Sequence, residues 1–133
     1  LQDLRHCVVL GRGFGYAIAR EIALKLKEVL GIHAEAFSSA EFLHGPVTLV
    51  ERHLTVFNVH IHDEGSDMHR RQLADIKKRG AHLVQMPAPE TLHPRLQPLA
   101  VMQRFYLDIE HAARQLGLNP DAPPGLKKVT ETH

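Results

Sequence analysis

Short apolar runs rich in β-branched residues alternate along the chain with longer segments of helical periodicity. This alternation constrains the fold most strongly, because successive strand and helix units assemble into a parallel sheet covered by helices. Three runs are predicted strands, namely CVVL at 7–10, LTVFNVHI at 54–61 and AHLVQM at 81–86. A chain of 133 residues is long enough for one hydrophobic core. We therefore expect a single α/β domain over residues 1–133, with 117–133 as a non-periodic C-terminal tail.

Three longer segments are predicted to be α-helices. Residues 16–30 repeat apolar side chains at helical spacing and are followed by Gly31, a suitable C-terminal cap. A second helix is predicted from Ser66 to Gly80, with cations in its last turn, and a third ends at Gly117. The apolar faces predicted for the first and third helices comprise Ile18, Ile22, Leu26 and Val29, and Leu99, Met102, Tyr106, Ile109, Ala113 and Leu116.

Charge and cysteine content argue against several classes of partner. A net charge of +1 and a pI near 8.2 provide no strong field for nucleic acid or for a membrane surface. There is neither an apolar run of bilayer length nor a secretion signal at the start of this sequence, so we expect a soluble cytoplasmic chain. The single cysteine, Cys7, is predicted to be a buried strand thiol.

Three glycines lie between the first predicted strand and the first helix, in the sequence GRGFG. Backbone amides at such a junction can hold an anion, but the third glycine of a dinucleotide-binding fingerprint is absent. The favoured interpretation is a tight turn in which glycine supplies a positive φ.

The first helix carries Glu21, Lys25 and Glu28 on the shoulder of its apolar face. These residues are expected to be neither buried nor fully exposed. The spacing of Glu21 and Lys25 is that of a stabilising ion pair on a helix, and this explanation is favoured from spacing alone.

A short helix is predicted after Ser38, because Glu41 three residues later completes a capping box. His44 falls in its last turn, directly before Gly45 and Pro46. A histidine at this position is stabilised by the helix dipole or acts in proton transfer, and the residues alone leave both interpretations open.

The chain contains 11 histidines, and His60 and His62 precede Asp63 at the end of a predicted strand. Two imidazoles on one side of a strand can ligate a metal, but no third ligand stands at a recognisable spacing. A polar strand end is therefore favoured, and we expect no metal and no other cofactor.

Several motifs at fixed spacings extend over nearly the whole chain. They are GRG, a tyrosine separated from it by two residues, a glutamate before ALKLKE, HAEA, a glutamate before HGP, and NPDAPPGLKKVT near the end. Together they resemble the second sugar-isomerase (SIS) domain of glucosamine-6-phosphate synthase and of related amino-sugar-phosphate deaminases and isomerases. The resemblance implies a three-layer α/β/α sandwich with a mostly parallel, flavodoxin-like sheet.

The resemblance also implies a set of catalytic residues. Glu28 would move a proton between C1 and C2 of an open-chain sugar phosphate, in a site ordered by Lys25 and Glu21. His44 would assist sugar ring opening in the active site of a neighbouring subunit. Lys128 in the tail would approach the ketose carbonyl. The candidate substrate-binding residues are Gly11, Arg12, Gly13 and Tyr16.

The implied activity is aldose–ketose isomerisation of glucosamine 6-phosphate or fructose 6-phosphate, with ammonia added as in the aminotransferase or released as in the deaminase. The implied partners are the sugar phosphate, a second copy in a homodimer, and a preceding SIS domain whose serine- and threonine-rich loop binds the phosphate. Without that loop, this chain alone is expected to fold but to be inactive. The alternative is a non-catalytic SIS module that binds a phosphosugar and regulates a partner.

Two features differ from the family pattern. Leu43 stands where the synthase has a basic residue before HGP. The stretch GAHLVQMPAPETLHP is too short for the further strand that the family has before its last helix, so one strand is expected to be lost or merged.

Overall fold

A computed structural model describes residues 3–50 and 53–127 of the chain. Four parallel strands form one sheet in the order β2-β1-β3-β4, which is a flavodoxin-like order. The strands are β1 (His6–Gly11), β2 (His33–Ser38), β3 (Thr55–His60) and β4 (His82–Pro87). The helices are α1 (Phe14–Leu30), α2 (Ser39–His44), α3 (Ser66–Lys78) and α4 (Gln97–Gln115), with a 3-10 turn at Pro46–Leu49.

Helices cover both faces of the sheet, because successive strand residues point to opposite sides. On β1, Cys7 and Val9 pack in the cluster that contains α1 and α4, whereas Val8 and Leu10 pack with α2 and α3. The predicted three-layer α/β/α sandwich is therefore confirmed. Cys7 is buried as predicted, and burial raises the pKa of its thiol to about 11.

The first helix forms as predicted and begins two residues earlier than expected. Ile18, Ile22 and Leu26 are buried against the sheet. Gly31 ends the helix with a φ of 65°, and the following residue, Ile32, donates its N–H to the carbonyl of Leu26 at 3.0 Å. This arrangement is the expected glycine cap.

Strand β2 was not among the predicted strands. Its sequence, HAEAFS, contains alanine and glutamate, which favour helices over strands. It is nevertheless a strand because it pairs in parallel with β1 along its whole length. As an edge strand it exposes His33 and Glu35 and buries only Ala34, so it has no continuous apolar run to reveal it.

The apolar face predicted for the last helix is partly wrong. Leu99 is 66% exposed and Tyr106 is 43% exposed, whereas Val101 and Phe105 are buried. In the first turns of α4 the buried residues are offset by one from the predicted face. Farther along the helix Ala113, which belongs to the predicted face, is buried as expected. Ile109 belongs to the predicted face and is buried as expected.

Strand β4 is the last strand in the described part of the chain. Residues 88–96 connect it to α4 without forming another strand. The described sheet thus has four strands. No helix within residues 3–50 and 53–127 is long and apolar enough to cross a membrane.

Candidate functional site

Three charged residues meet on the shoulder of α1, near its C-terminal end. Lys25 Nζ donates to Glu28 Oε2 at 2.5 Å and lies 3.8 Å from Glu21 Oε1. The side chains of all three are about 30% exposed. The hydrogen bond to Glu28 is the main reason that the pKa of Lys25 is raised. The predicted intermediate exposure and the predicted Glu21–Lys25 pair are both confirmed.

Tyr106 extends this cluster from α4. Its hydroxyl donates to Glu21 Oε1 at 2.9 Å, and this bond raises the pKa of Tyr106. A continuous chain of contacts therefore runs from Tyr106 through Glu21 and Lys25 to Glu28. Sequence reasoning assigned Tyr106 to the core, and only the actual orientation of α4 reveals its contact with α1.

The carboxylate of Glu28 has one engaged oxygen and one open oxygen. Within residues 3–50 and 53–127, the hydrogen bonds of its side chain involve Oε2 alone. A carboxylate held by one oxygen can use the other to accept and return a proton. The arrangement is thus chemically suited to a proton shuttle oriented by a cation.

His44 is the last residue of α2 and is exposed. The predicted capping box is present, since Ser38 Oγ accepts from the N–H of Glu41 at 3.1 Å and Glu41 Oε2 accepts from the N–H of Ser38 at 3.2 Å. Helix α2 packs on the face of the sheet opposite to α1. The sheet therefore separates His44 from Glu28 within one chain.

The glycine-rich loop is a tight turn. Gly13 has a φ of 55°, as the favoured interpretation requires. A Cβ atom at Gly11 would lie 2.3 Å from the carbonyl oxygen of Gly15, so only glycine fits there. A Cβ atom at Gly13 would lie 3.0 Å from Asp63 Oδ2, which places a carboxylate beside the loop.

The predicted substrate-binding residues are far from Glu28. Arg12 is half-buried and directs Nη1 towards Gln72 Oε1 on α3, 3.4 Å away, and Tyr16 is half-buried in the first turn of α1. At 1.5 Å per residue, Gly13 and Glu28 are about 22 Å apart along α1. The structure does not bring these residues and Glu28 together within one chain.

The histidines after β3 form contacts among themselves. The rings of His60 and His62 are 4.7 Å apart, and His60 Nε2 lies 2.7 Å from Ser66 Oγ. Burial and the neighbouring His62 lower the pKa of His60. The residues that the structure describes contain no group of three side chains able to hold a metal ion. The predicted tail residue Lys128 lies outside the described residues, and the adjacent Lys127 is exposed.

Comparison with known proteins shows a single family. The model of the SIS domain matches residues 1–86 of the chain. The glutamine–fructose-6-phosphate aminotransferases [isomerizing] of Mycobacterium leprae and Thermotoga maritima are 36% and 33% identical over 141 and 143 residues, covering 90% and 96% of this chain. These alignments cover 22% and 23% of the relatives, so the chain spans about a quarter of their length or less.

Solved structures agree with this comparison. The C-terminal domain of glucosamine-fructose-6-phosphate aminotransferase from Francisella tularensis superposes with a TM-score of 0.78 and 32% identity, over 90% of this chain and 38% of that chain. The glucosamine-6-phosphate deaminase of Thermotoga maritima superposes with a TM-score of 0.74 and 25% identity, over 95% of this chain and 40% of that chain. From the matched family model and these relatives, we conclude that the chain belongs to the SIS domain family.

Proposed function

We propose that this chain is part of an amino-sugar-phosphate isomerase. The enzyme interconverts a ketose, fructose 6-phosphate, and an aldose, glucosamine 6-phosphate, with ammonia added or released. The observation that carries this proposal is the oriented Glu28 carboxylate, held by Lys25 at 2.5 Å. Similar proteins named as fructose-6-phosphate aminotransferases and as a glucosamine-6-phosphate deaminase support the choice of substrate.

Isomerisation needs one base that removes a proton from the carbon next to a carbonyl and returns it one carbon away. In the proposal, the open oxygen of Glu28 takes the proton from C2 of the aldose and delivers it to C1. Negative charge develops on the sugar oxygens during this transfer, and a neighbouring ammonium such as Lys25 stabilises it. Glu21 and Tyr106 keep Lys25 in place through the contacts described above.

His44 serves the site of a second copy in this proposal. Its exposure and its position across the sheet from Glu28 support such an arrangement, because one chain cannot bring the two residues together. A closed two-fold dimer is the simplest assembly in which each copy offers His44 to the other. We propose that residues 1–133 are one SIS domain and that the tail from 117 brings Lys128 to the ketose carbonyl.

A preceding SIS domain is proposed to bind the sugar phosphate. The glycine loop of this chain is a poor candidate for that role, because Asp63 lies against Gly13 and would repel a phosphate. The Arg12 side chain is directed towards Gln72, on α3. Both observations argue against a phosphate site in the glycine loop of this chain.

The decisive experiment replaces Glu28 by glutamine in the full-length protein that carries this chain. Isomerisation is expected to fall by about a hundredfold or more, because glutamine cannot accept the proton. Deuterium uptake from heavy water into the sugar, measured by mass spectrometry, should fall in parallel. The melting temperature should change little, since a partly exposed ion pair contributes at most about 1 kcal/mol. Glu64→Gln, at an exposed loop residue, is the matched control.

Unchanged isomerisation in the Glu28→Gln protein would refute the assignment of the base. The alternative function, a non-catalytic module that binds a phosphosugar and regulates a partner, predicts a different pattern. Such a protein would bind fructose 6-phosphate in calorimetry yet would not exchange deuterium into it, with or without Glu28.

A further inference from the structure

Three buried polar residues form a hydrogen-bonded network beneath the start of α2. Ser39, Asn58 and His69 are only 0%, 1% and 2% exposed. His69 Nε2 lies 2.6 Å from Asn58 Oδ1, and His69 Nδ1 lies 2.9 Å from Ser39 Oγ. Asn58 Nδ2 in turn donates to Gln85 Oε1 at 2.7 Å, which links the network to strand β4.

The hydroxyl of Ser39 has one hydrogen and donates it to Gln72 Oε1 at 2.6 Å. Gln72 Oε1 also accepts from Arg12 Nη1 at 3.4 Å. The tautomer of His69 decides which of its ring nitrogens carries the hydrogen, and in both tautomers the two nitrogens face Ser39 and Asn58.

The network connects three elements through one side chain. Asn58 belongs to the central strand β3, His69 to α3, and Ser39 is the first residue of α2. A six-residue helix is not stable by itself, so α2 depends on its tertiary contacts. Those contacts include the fully buried Phe42 and the hydrogen bonds of Ser39 to His69 and Gln72 on α3. His69 is therefore a fixed point against which the N-terminal end of α2 is held.

An apolar side chain could fill the volume of His69 without any partner. Burying an imidazole instead costs desolvation free energy, which its hydrogen bonds must offset. Hydrogen bonds hold their partners in one geometry, whereas an apolar side chain would only fill the volume. The residue whose placement depends on this geometry is His44, at the other end of α2. Five residues of helix separate it from Ser39, a distance of about 7.5 Å. A tilt of about 10° at Ser39 would move His44 by about 1.3 Å, and displacements of about 1 Å cost up to a hundredfold in rate.

We propose that His69 is a positioning residue that acts through Ser39 to hold α2, and thereby His44, in the geometry needed for sugar ring opening. This inference rests on the proposed function and on the role given there to His44. Ring opening of fructose 6-phosphate breaks the bond between C2 and O5. A proton leaves the C2 hydroxyl, which becomes the carbonyl, and a proton is delivered to O5, so no other reactant is needed.

The test compares two substrates in the full-length protein. Fructose 6-phosphate is mostly cyclic, whereas 5-deoxyfructose 6-phosphate lacks the hydroxyl that closes the furanose ring. His69→Leu and Ser39→Ala are expected to lower kcat for fructose 6-phosphate by about tenfold or more and to leave kcat for the 5-deoxy analogue within about twofold. His44→Asn should show the same selectivity. Ser66→Ala is the matched control, since Ser66 contacts His60 outside the network, and it should alter neither rate.

A second measurement keeps the test informative if His69→Leu destabilises the protein. Ser39→Ala removes a single oxygen atom, and amide hydrogen exchange should accelerate in α2 while α4 keeps its protection. Unchanged exchange in α2, or an equal loss of kcat on both substrates, would overturn the inference. Selective loss in His44→Asn without selective loss in Ser39→Ala would overturn it and leave the proposed function intact. A wild-type protein without isomerase activity would instead refute the proposed function.

Discussion

Acid should destabilise this domain through His69 in a way that a single substitution can isolate. Burial is the main cause that lowers the pKa of His69 from 6.5 to about 4, and the nearby His60 and Arg12 act in the same direction. In the unfolded chain the imidazole regains its ordinary pKa. Between these two values the unfolded state binds one more proton, so the free energy of unfolding falls as the pH is lowered.

The magnitude follows from the two pKa values. Integration from pH 7.5 to pH 4.5 gives a loss of about 2.5 kcal/mol, with a slope of at most about 1.4 kcal/mol per pH unit. This stability is fully present above pH 6.5 and is lost as the pH approaches 4. For a domain with a free energy of unfolding of about 5–15 kcal/mol, the change is easily measured.

Urea denaturation at a series of pH values would measure this effect in the wild-type chain and in His69→Leu. Carboxylates and the other histidines titrate in both proteins, so the difference between the two free energies of unfolding isolates His69. We expect that difference to shift by about 2.5 kcal/mol in favour of the variant between pH 7.5 and pH 4.5. A difference that does not depend on pH would refute the reasoning.

Further substitutions test other parts of the structure. Gly11→Ala should destabilise the domain by about 3 kcal/mol or more, because its Cβ would lie 2.3 Å from a backbone carbonyl oxygen in α1. Gly31→Ala, where φ is 65° but the surrounding space is open, should cost only about 1 kcal/mol in the same denaturation assay. Tyr106→Phe should change the melting temperature little, since the hydroxyl is exposed, yet it should lower kcat by several-fold. An unchanged kcat would show that Tyr106 has no role in the site. In the full-length protein, Lys128→Ala should lower isomerase activity far more than Lys127→Ala, and equal effects would contradict the assignment in the tail.

Much of the fold follows from local sequence. Helix α1 has a clear apolar face and a glycine cap, and the capping box of α2 is encoded by Ser38 and Glu41. Strand β2 could not be predicted in the same way, because an edge strand with one buried alanine has almost no apolar signal of its own. Its conformation is imposed by pairing with β1, which is a tertiary effect.

In the candidate site, too, only the contacts within one helix could be predicted from the sequence. The cluster of Glu21, Lys25 and Glu28 follows from helical spacing, so its geometry could be predicted from the sequence. The contact of Tyr106 with Glu21 could not be predicted, because it depends on how α4 is rotated about its axis. The sequence of α4 has apolar residues along two neighbouring lines and does not determine that rotation. The network around His69 joins residues from three separate elements, and no local pattern indicates it. The catalytic roles remain predictions.

The position of the sheet between Glu28 and His44 has a consequence for mixtures of defective proteins. In the proposed dimer, each complete site draws its glutamate from one copy and its histidine from the other. When Glu28→Gln and His44→Asn proteins, each impaired on fructose 6-phosphate, are mixed in equal amounts and allowed to exchange subunits, half of the dimers become hybrids. Each hybrid contains one site with both native residues. Activity should then return to about a quarter of the wild-type level, as random pairing of two subunit types in a two-fold dimer requires. Two proteins that each turn over fructose 6-phosphate poorly would thus restore each other, which residues confined to one chain could not do.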